Sequence, residues 1–330
     1  AIANASPLYN LRKVEDNVFI EADYIKTSVN DFIAGITGNR ELQNVLAGNL
    51  PLYAGVKDKT PTYIHALINN FYIQSAWRII GGSDIIASSL ADSIRAFGGE
   101  VRTRSEVIEI VCDDKHAVGV RLASGEYIEA NSFISNIHPQ AMLNLLDTHL
   151  IRKAYRARIN DLDNTIANFT LYIKFKEKTT SYLNYNYYFY ENDDVWQSTD
   201  RQAGDKLRSY LFMHQCAEKD QIWAQSAEMI GYMRFDEVAQ WADTTRGHRG
   251  EAYKEFKERT AEHYISILEQ SFPGIRSAIE DYETSSPLTY RDYTATQNGS
   301  MYGIIRDKNF PTQTLVSQRT KIPNLFLTGQ

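Results

Sequence analysis

The sequence predicts a mixed α/β (α+β) protein in which a small unit of one helix and a β-meander joins a larger region of antiparallel or mixed sheet flanked by helices. Three observations carry this. An amphipathic segment bracketed by Gly81-Gly82 and Gly98-Gly99 is followed by short strand-like runs separated by turn residues. Four further strand candidates between residues 166 and 235 show the alternation of half-buried sheet. A long helical pattern at 250–271 follows them and ends at Pro273-Gly274.

In chain order, residues 1–78 read as mainly helical with a loop over 54–61. From Pro61, which suits a first helical turn, Tyr63, Ile64, Leu67, Ile68, Phe71, Tyr72 and Ile73 recur at helical spacing up to Trp77. That broad apolar face could cover a core, line a pocket or touch a membrane surface. Ser83 or Asp84 caps the next helix, which places Ile85, Ile86, Leu90, Ile94 and Phe97 on one side. Residues 100–104, 107–111, 116–122 and 127–134 read as strands, with turns at Asp113-Asp114 and around Gly125. A helix follows Pro139. Strands are expected at 166–175, 185–190, 207–216, 227–235 and 279–283, then an irregular Pro-, Tyr- and Gly-containing stretch over 287–311. Ile322 to Leu327 reads as a last apolar strand. The expected division is a helical part (1–78), a helix-plus-meander unit (79–140), a region of sheet and helices (141–312) and a C-terminal segment (313–330).

Composition excludes several functions. A formal charge of −6 gives no general attraction to nucleic acid or anionic lipid. The two cysteines, Cys112 and Cys216, form no CxxC pair, and the seven histidines lack ligand spacing, so no metal site is expected. No apolar run is long enough to span a membrane, which favours a cytoplasmic protein and leaves peripheral membrane contact open. GxGxxG, GxxxxGK[ST], HExxH and GxSxG are all absent, weakening hydrolase, kinase and zinc-enzyme readings. The 21 tyrosines and 14 phenylalanines could line a channel for an apolar ligand, but composition alone favours ordinary cores and strand faces. Spacing names no general acid or base.

The order of three stretches points further. The run AWRIIGGSDIIASSLADSIRAFGGEVRTRSEVIEIVCDDKHAVGVRLASGEYIEANSFISNIHP (76–139) resembles the central segment of the phytoene desaturase, carotenoid isomerase and retinol saturase group of flavoproteins. SPLTYRDYTATQNGSMYGI (286–304) and NLFLTGQ (324–330) resemble that group's C-terminal motifs.

The resemblance implies an incomplete FAD-binding domain of the amine-oxidase and phytoene-desaturase type. It places a backbone contact to the flavin adenine at Val107 and an approach to the nucleotide at Ser135 and Asn136. Thr328, Gly329 and Gln330 would begin the loop along the pyrophosphate and ribityl chain, where glycine lets backbone approach a ligand closely. Trp77, Tyr290, Arg291 and Tyr302 are candidates for positions near substrate or flavin, and no residue is assigned as catalytic. The implied activity is FAD-dependent desaturation or saturation of a long apolar polyene or isoprenoid-like substrate, with an external electron partner. A flavin-dependent cis-trans isomerase, an amine-oxidase-like enzyme and a non-catalytic lipophile-binding module are the alternatives. The family's strand, Gly-rich turn and helix, which hold the pyrophosphate, are missing. The chain is therefore expected to be an inactive middle piece of a larger enzyme, colourless because it binds FAD weakly or not at all.

Overall fold

The computed structural model describes residues 23–202, 204 and 206–329. The helical expectation for residues 1–22 and the assignment at Gln330 lie outside the described residues.

Two short helices, α1 (Val29–Ile36) and α2 (Arg40–Ala47), begin on side chains that satisfy their free amides. Ser28 Oγ accepts from the Asp31 amide at 3.0 Å and Asn39 Oδ1 from the Leu42 amide at 3.1 Å. Helix α3 (Thr62–Gln74) buries its first half, through Tyr63, His65 and Leu67, whereas Phe71, Tyr72 and Ile73 emerge to solvent. Helix α4 (Asp84–Ala96) is the segment between the two Gly-Gly pairs, and none of its residues is buried.

The expected strand at 100–104 does not form. Arg104 takes a left-handed backbone at φ 56°, which breaks an extended run. Arg102 instead bridges the Glu100 and Glu126 carboxylates. Strands β1 (Val107–Cys112), β2 (Ala117–Leu122) and β3 (Tyr127–Glu129) then make the antiparallel meander. The expected strand over 127–134 is split: β4 (Phe133–Ser135) leaves the meander for another partner. Helix α5 (Pro139–Asn144) follows, and α6 (Lys153–Asn160) forms where the sequence showed no clear helical signal.

The larger sheet contains β5 (Ala167–Phe175), β6 (Tyr187–Tyr190), β7 (Ser209–His214), β8 (Ser226–Met233) and β9 (Ile279–Ser285), in the order β6-β7-β8-β5-β9 with every neighbouring pair antiparallel. Period-two alternation divides the strands between two faces. Phe169, Leu171, Ile173, Phe212 and Met229 turn to one face and pack on α7 (Glu251–Ser271) through Ala261, Tyr264, Ile265 and Leu268. Burying each large apolar side chain stabilises the fold by roughly 1.5–3 kcal/mol. The approach is close: a Cβ on Gly231 would lie 2.5 Å from a Leu207 methyl and 2.6 Å from the Tyr264 hydroxyl.

After β9 the stretch expected to be irregular begins with a helix, α8 (Pro287–Thr294). Ser286 Oγ accepts from the Leu288 amide while Thr289 Oγ1 accepts from the Ser286 amide, and Pro287 supplies the preset first turn. The last strand, β10 (Leu325–Leu327), pairs in parallel with β4. A second core, with Ile110, Ala117, Met142, Leu143, Ile159 and Leu325, joins the meander, α5, α6 and β10.

Candidate functional site

Two features face solvent where the sequence placed chemistry. The first is the end of the β4–β10 pair. Leu327 stands opposite Ser135, and the Thr328 amide donates to the Ser135 carbonyl at 3.0 Å. Ser135, Asn136, Thr328 and Gly329, predicted from two distant stretches, therefore meet at one spot. Parallel strands deliver ligand-contacting residues at their carboxyl ends, and both strands end here. Asn136, Thr328 and Gly329 are exposed. Gly329 has φ 83°, which favours glycine, and a Cβ there would lie 2.3 Å from Asn136 Oδ1, so the Asn136 side chain would have to move. Val107 lies elsewhere, half-buried at the start of β1 and paired with Leu122.

Asn324 fixes this junction to the meander. Its side-chain amide donates to the carbonyls of Ala117 and Asn131 at 2.8 and 2.9 Å, and its Oδ1 accepts from the Ala117 amide at 3.0 Å. Sequence reasoning missed it; an Asn placed just before an apolar strand is the only signal it leaves.

The second feature is a groove of about 830 Å³ over the second face of the large sheet. Its floor carries Tyr188, Met213 and Glu228, and its roof is Leu46, Leu52 and Tyr72 from the N-terminal helices. The roof is held by phenols: Tyr190 donates to the Gly48 carbonyl, while Tyr232 and Tyr302 both donate to the Pro51 carbonyl at 3.1 and 3.0 Å. Burial pushes all three phenols up, so they remain protonated donors.

Trp77 lines the groove with its side chain largely in solvent. Tyr302 sits under the roof. Tyr290 lies on the same sheet face, its hydroxyl 2.9 Å from Thr170 Oγ1 and 3.1 Å from the Asn168 side-chain amide. Beside it Ser285 Oγ donates to the Tyr172 hydroxyl at 3.1 Å; burial pushes that phenol up to about 12. Arg291 points elsewhere, donating to the Ala242 carbonyl and pairing with Asp292. These four are not brought together as one cluster.

The buried histidines are neutral structural groups. Burial lowers His65 to about 4, and it bonds the Tyr53 hydroxyl at 3.0 Å and Asn69. Burial first, then the Arg78 guanidinium, lowers His214 to about 4, and its Nδ1 accepts from the Leu183 amide. Among the described residues no cluster of His, Cys, Asp and Glu is placed to hold a metal ion. No described helix is long and apolar enough to cross a membrane.

No family model matches the chain. Among solved structures, an oxidoreductase from Methanosarcina mazei superposes with a TM-score of 0.61 at 16% identity, covering 92% of this chain and 62% of that one. Putrescine oxidase gives 0.56 at 11% identity over 99% of this chain and 66% of its own. The chain therefore has the fold that these two proteins share over the matched region. In sequence, all-trans-retinol 13,14-reductase of Danio rerio is 24% identical over 93% of this chain and 54% of its own length. Phytoene desaturase (neurosporene-forming) of Cereibacter sphaeroides is 25% identical over 84% of this chain and 54% of its own. Prolycopene isomerase of Daucus carota is 28% identical over 68% and 35%. The chain is thus similar in sequence to proteins named retinol 13,14-reductase, phytoene desaturase and prolycopene isomerase, in line with the resemblance of its motifs. It spans about half the length of the retinol 13,14-reductases it matches.

Proposed function

We propose that this chain carries the substrate side and one cofactor edge of an FAD-dependent oxidoreductase that saturates or desaturates a long, apolar, polyene or isoprenoid-like substrate. The observation that carries this reading is the presence on one chain of the exposed β4–β10 junction and a groove of about 830 Å³ whose roof includes Leu46, Leu52 and Tyr72. The junction suits a dinucleotide: it offers Asn136, Thr328 and a Cβ-free Gly329 at the carboxyl ends of two parallel strands. When bound, FAD supplies the hydride or electron transfer.

The chain's own part is to bind, orient and exclude water. Leu46, Leu52 and Tyr72 would cover an apolar chain from above, and Tyr188 and Met213 would support it from below. Tyr290 and Tyr302 would place hydroxyl groups beside that face. Similarity to proteins named retinol 13,14-reductase and phytoene desaturase supports an isoprenoid substrate and net redox chemistry, which requires an external electron partner.

Similarity to prolycopene isomerase favours a second reading, cis-trans isomerisation without net redox. Anaerobic incubation of the full-length protein with FAD, a reductant and all-trans-retinol separates the two by mass spectrometry. The expected product differs from substrate by one pair of hydrogens. An isomer of unchanged mass supports the second reading, and a full-length protein that takes up no FAD overturns both.

A further inference from the structure

One charged side chain in the groove is tied down by a single hydrogen bond. Glu228 sits in the middle of β8, in the run SAEMIGYM, where its neighbours Ala227 and Met229 are buried against α7. Alternation turns Glu228 to the opposite face, directly across from Tyr172 of β5 and Met213 of β7, and so into the groove. Its Oε1 accepts from the Gln215 side-chain amide at 2.9 Å. Among the described residues it forms no ion pair. Burial raises its carboxyl above the ordinary carboxylate range, with Gln215 opposing the shift.

A carboxyl group offers about four lone-pair positions, and one hydrogen bond leaves most of that capacity facing the groove. A hydrocarbon lying along Leu52, Tyr72 and Met213 would shut these positions away from water without a partner. That is unfavourable for any buried polar group. A chain whose end carries an O–H donor would satisfy them. The nearby cation does not change this preference into one for an acid. Arg78 lines the same groove, but its guanidinium already donates to the His214 carbonyl and to Asn186 Oδ1, at 2.9 Å for the latter.

Resting on the proposed reading of the groove as the polyene site, we infer that Glu228 is the residue with which this protein selects a substrate bearing a terminal hydroxyl over the same chain without a donor. Gln215 is its positioning partner, fixing one oxygen so that the other is presented to the ligand.

The test compares dissociation constants of all-trans-retinol and retinyl methyl ether, which share one polyene and differ in the hydroxyl hydrogen, followed by ligand fluorescence on the full-length protein. The unmodified protein should bind retinol about tenfold more tightly than the ether, the worth of one hydrogen bond to a charged acceptor. Glu228→Gln, which keeps the shape but offers a neutral acceptor, should retain only part of this preference. Glu228→Leu should bind both ligands with the affinity of the ether. Equal binding of alcohol and ether by the unmodified protein overturns the assignment without any variant. So does a preference that survives Glu228→Leu, or tighter binding of retinoic acid than of retinol, which would give the selection to Arg78. If neither retinoid binds, the proposed polyene groove fails, and the role of Glu228 with it.

Discussion

Helices α7 and α4 both carry an apolar stripe in the sequence, yet they end in opposite environments. Helix α7 closes one face of the large sheet and buries Tyr253, Ala261, Tyr264, Ile265 and Leu268. Helix α4 buries nothing: Ile85, Ile86, Leu90 and Ile94 are 45%, 50%, 61% and 46% exposed. Periodicity therefore identifies a helix and the face it has to cover, but the partner for that face is a property of the whole fold. The sheet region satisfies its apolar surface from its own strands and helix. The region around α4 leaves its surface open, and the helix is closed by backbone bonds such as that from the Gly99 amide to the Ile94 carbonyl at 2.8 Å.

Substitution breaks this comparison most directly. Phe169→Ala, at a fully buried position under α7, should cost about 3–5 kcal/mol in denaturant unfolding. Leu90→Ala on α4 should stay within about 0.5 kcal/mol. Equal effects would mean that α4 has a partner in solution.

Acidification sharpens it next, because His65 and His214 both belong to the large region. Each is held neutral, with a folded value of about 4 against 6.5 in the unfolded chain. Between those values the unfolded chain binds more protons, so stability is fully present above about pH 6.5 and falls as pH drops toward 4. The loss should be on the order of 2 kcal/mol for each histidine. Glu228 acts in the opposite sense, since a raised carboxyl favours the fold as it protonates. Thermal melts from pH 7 to 5 should show the fall, and His214→Gln should reduce it.

A smaller effect tests the other region. Asn324→Ala removes three hydrogen bonds between the meander and the β4–β10 junction and should cost about 1–3 kcal/mol. Hydrogen exchange should quicken at Ala117 and Thr328 and stay unchanged in β5 and β8. Uniform acceleration would make the two regions one cooperative unit.

Much of this was legible in the sequence. The five large-sheet strands read out in order because β-branched and aromatic residues alternate with polar ones between turns. The meeting of Ser135 and Asn136 with Thr328 and Gly329 followed from family motifs, not from spacing. Residues 100–104 misled because a charged and apolar alternation was read without a neighbouring strand to pair with. Helix α8 was hidden by Pro287, which signals a turn as readily as a first helical position, and α6 by its sparse apolar residues. Glu228 and Asn324 escaped because a single polar residue beside an apolar run acquires meaning only when its neighbours in space are known.

The β4–β10 pair also sets a timetable. Its two strands lie near residues 134 and 326, and the whole large sheet is threaded between them. Closing so long a loop carries an entropic cost that neither three-residue strand can meet alone, so the pair must wait for the sheet to draw its ends together. The Ser135–Gly329 edge then depends on the large sheet for its existence, and weakening that sheet should open the β4–β10 pair as well.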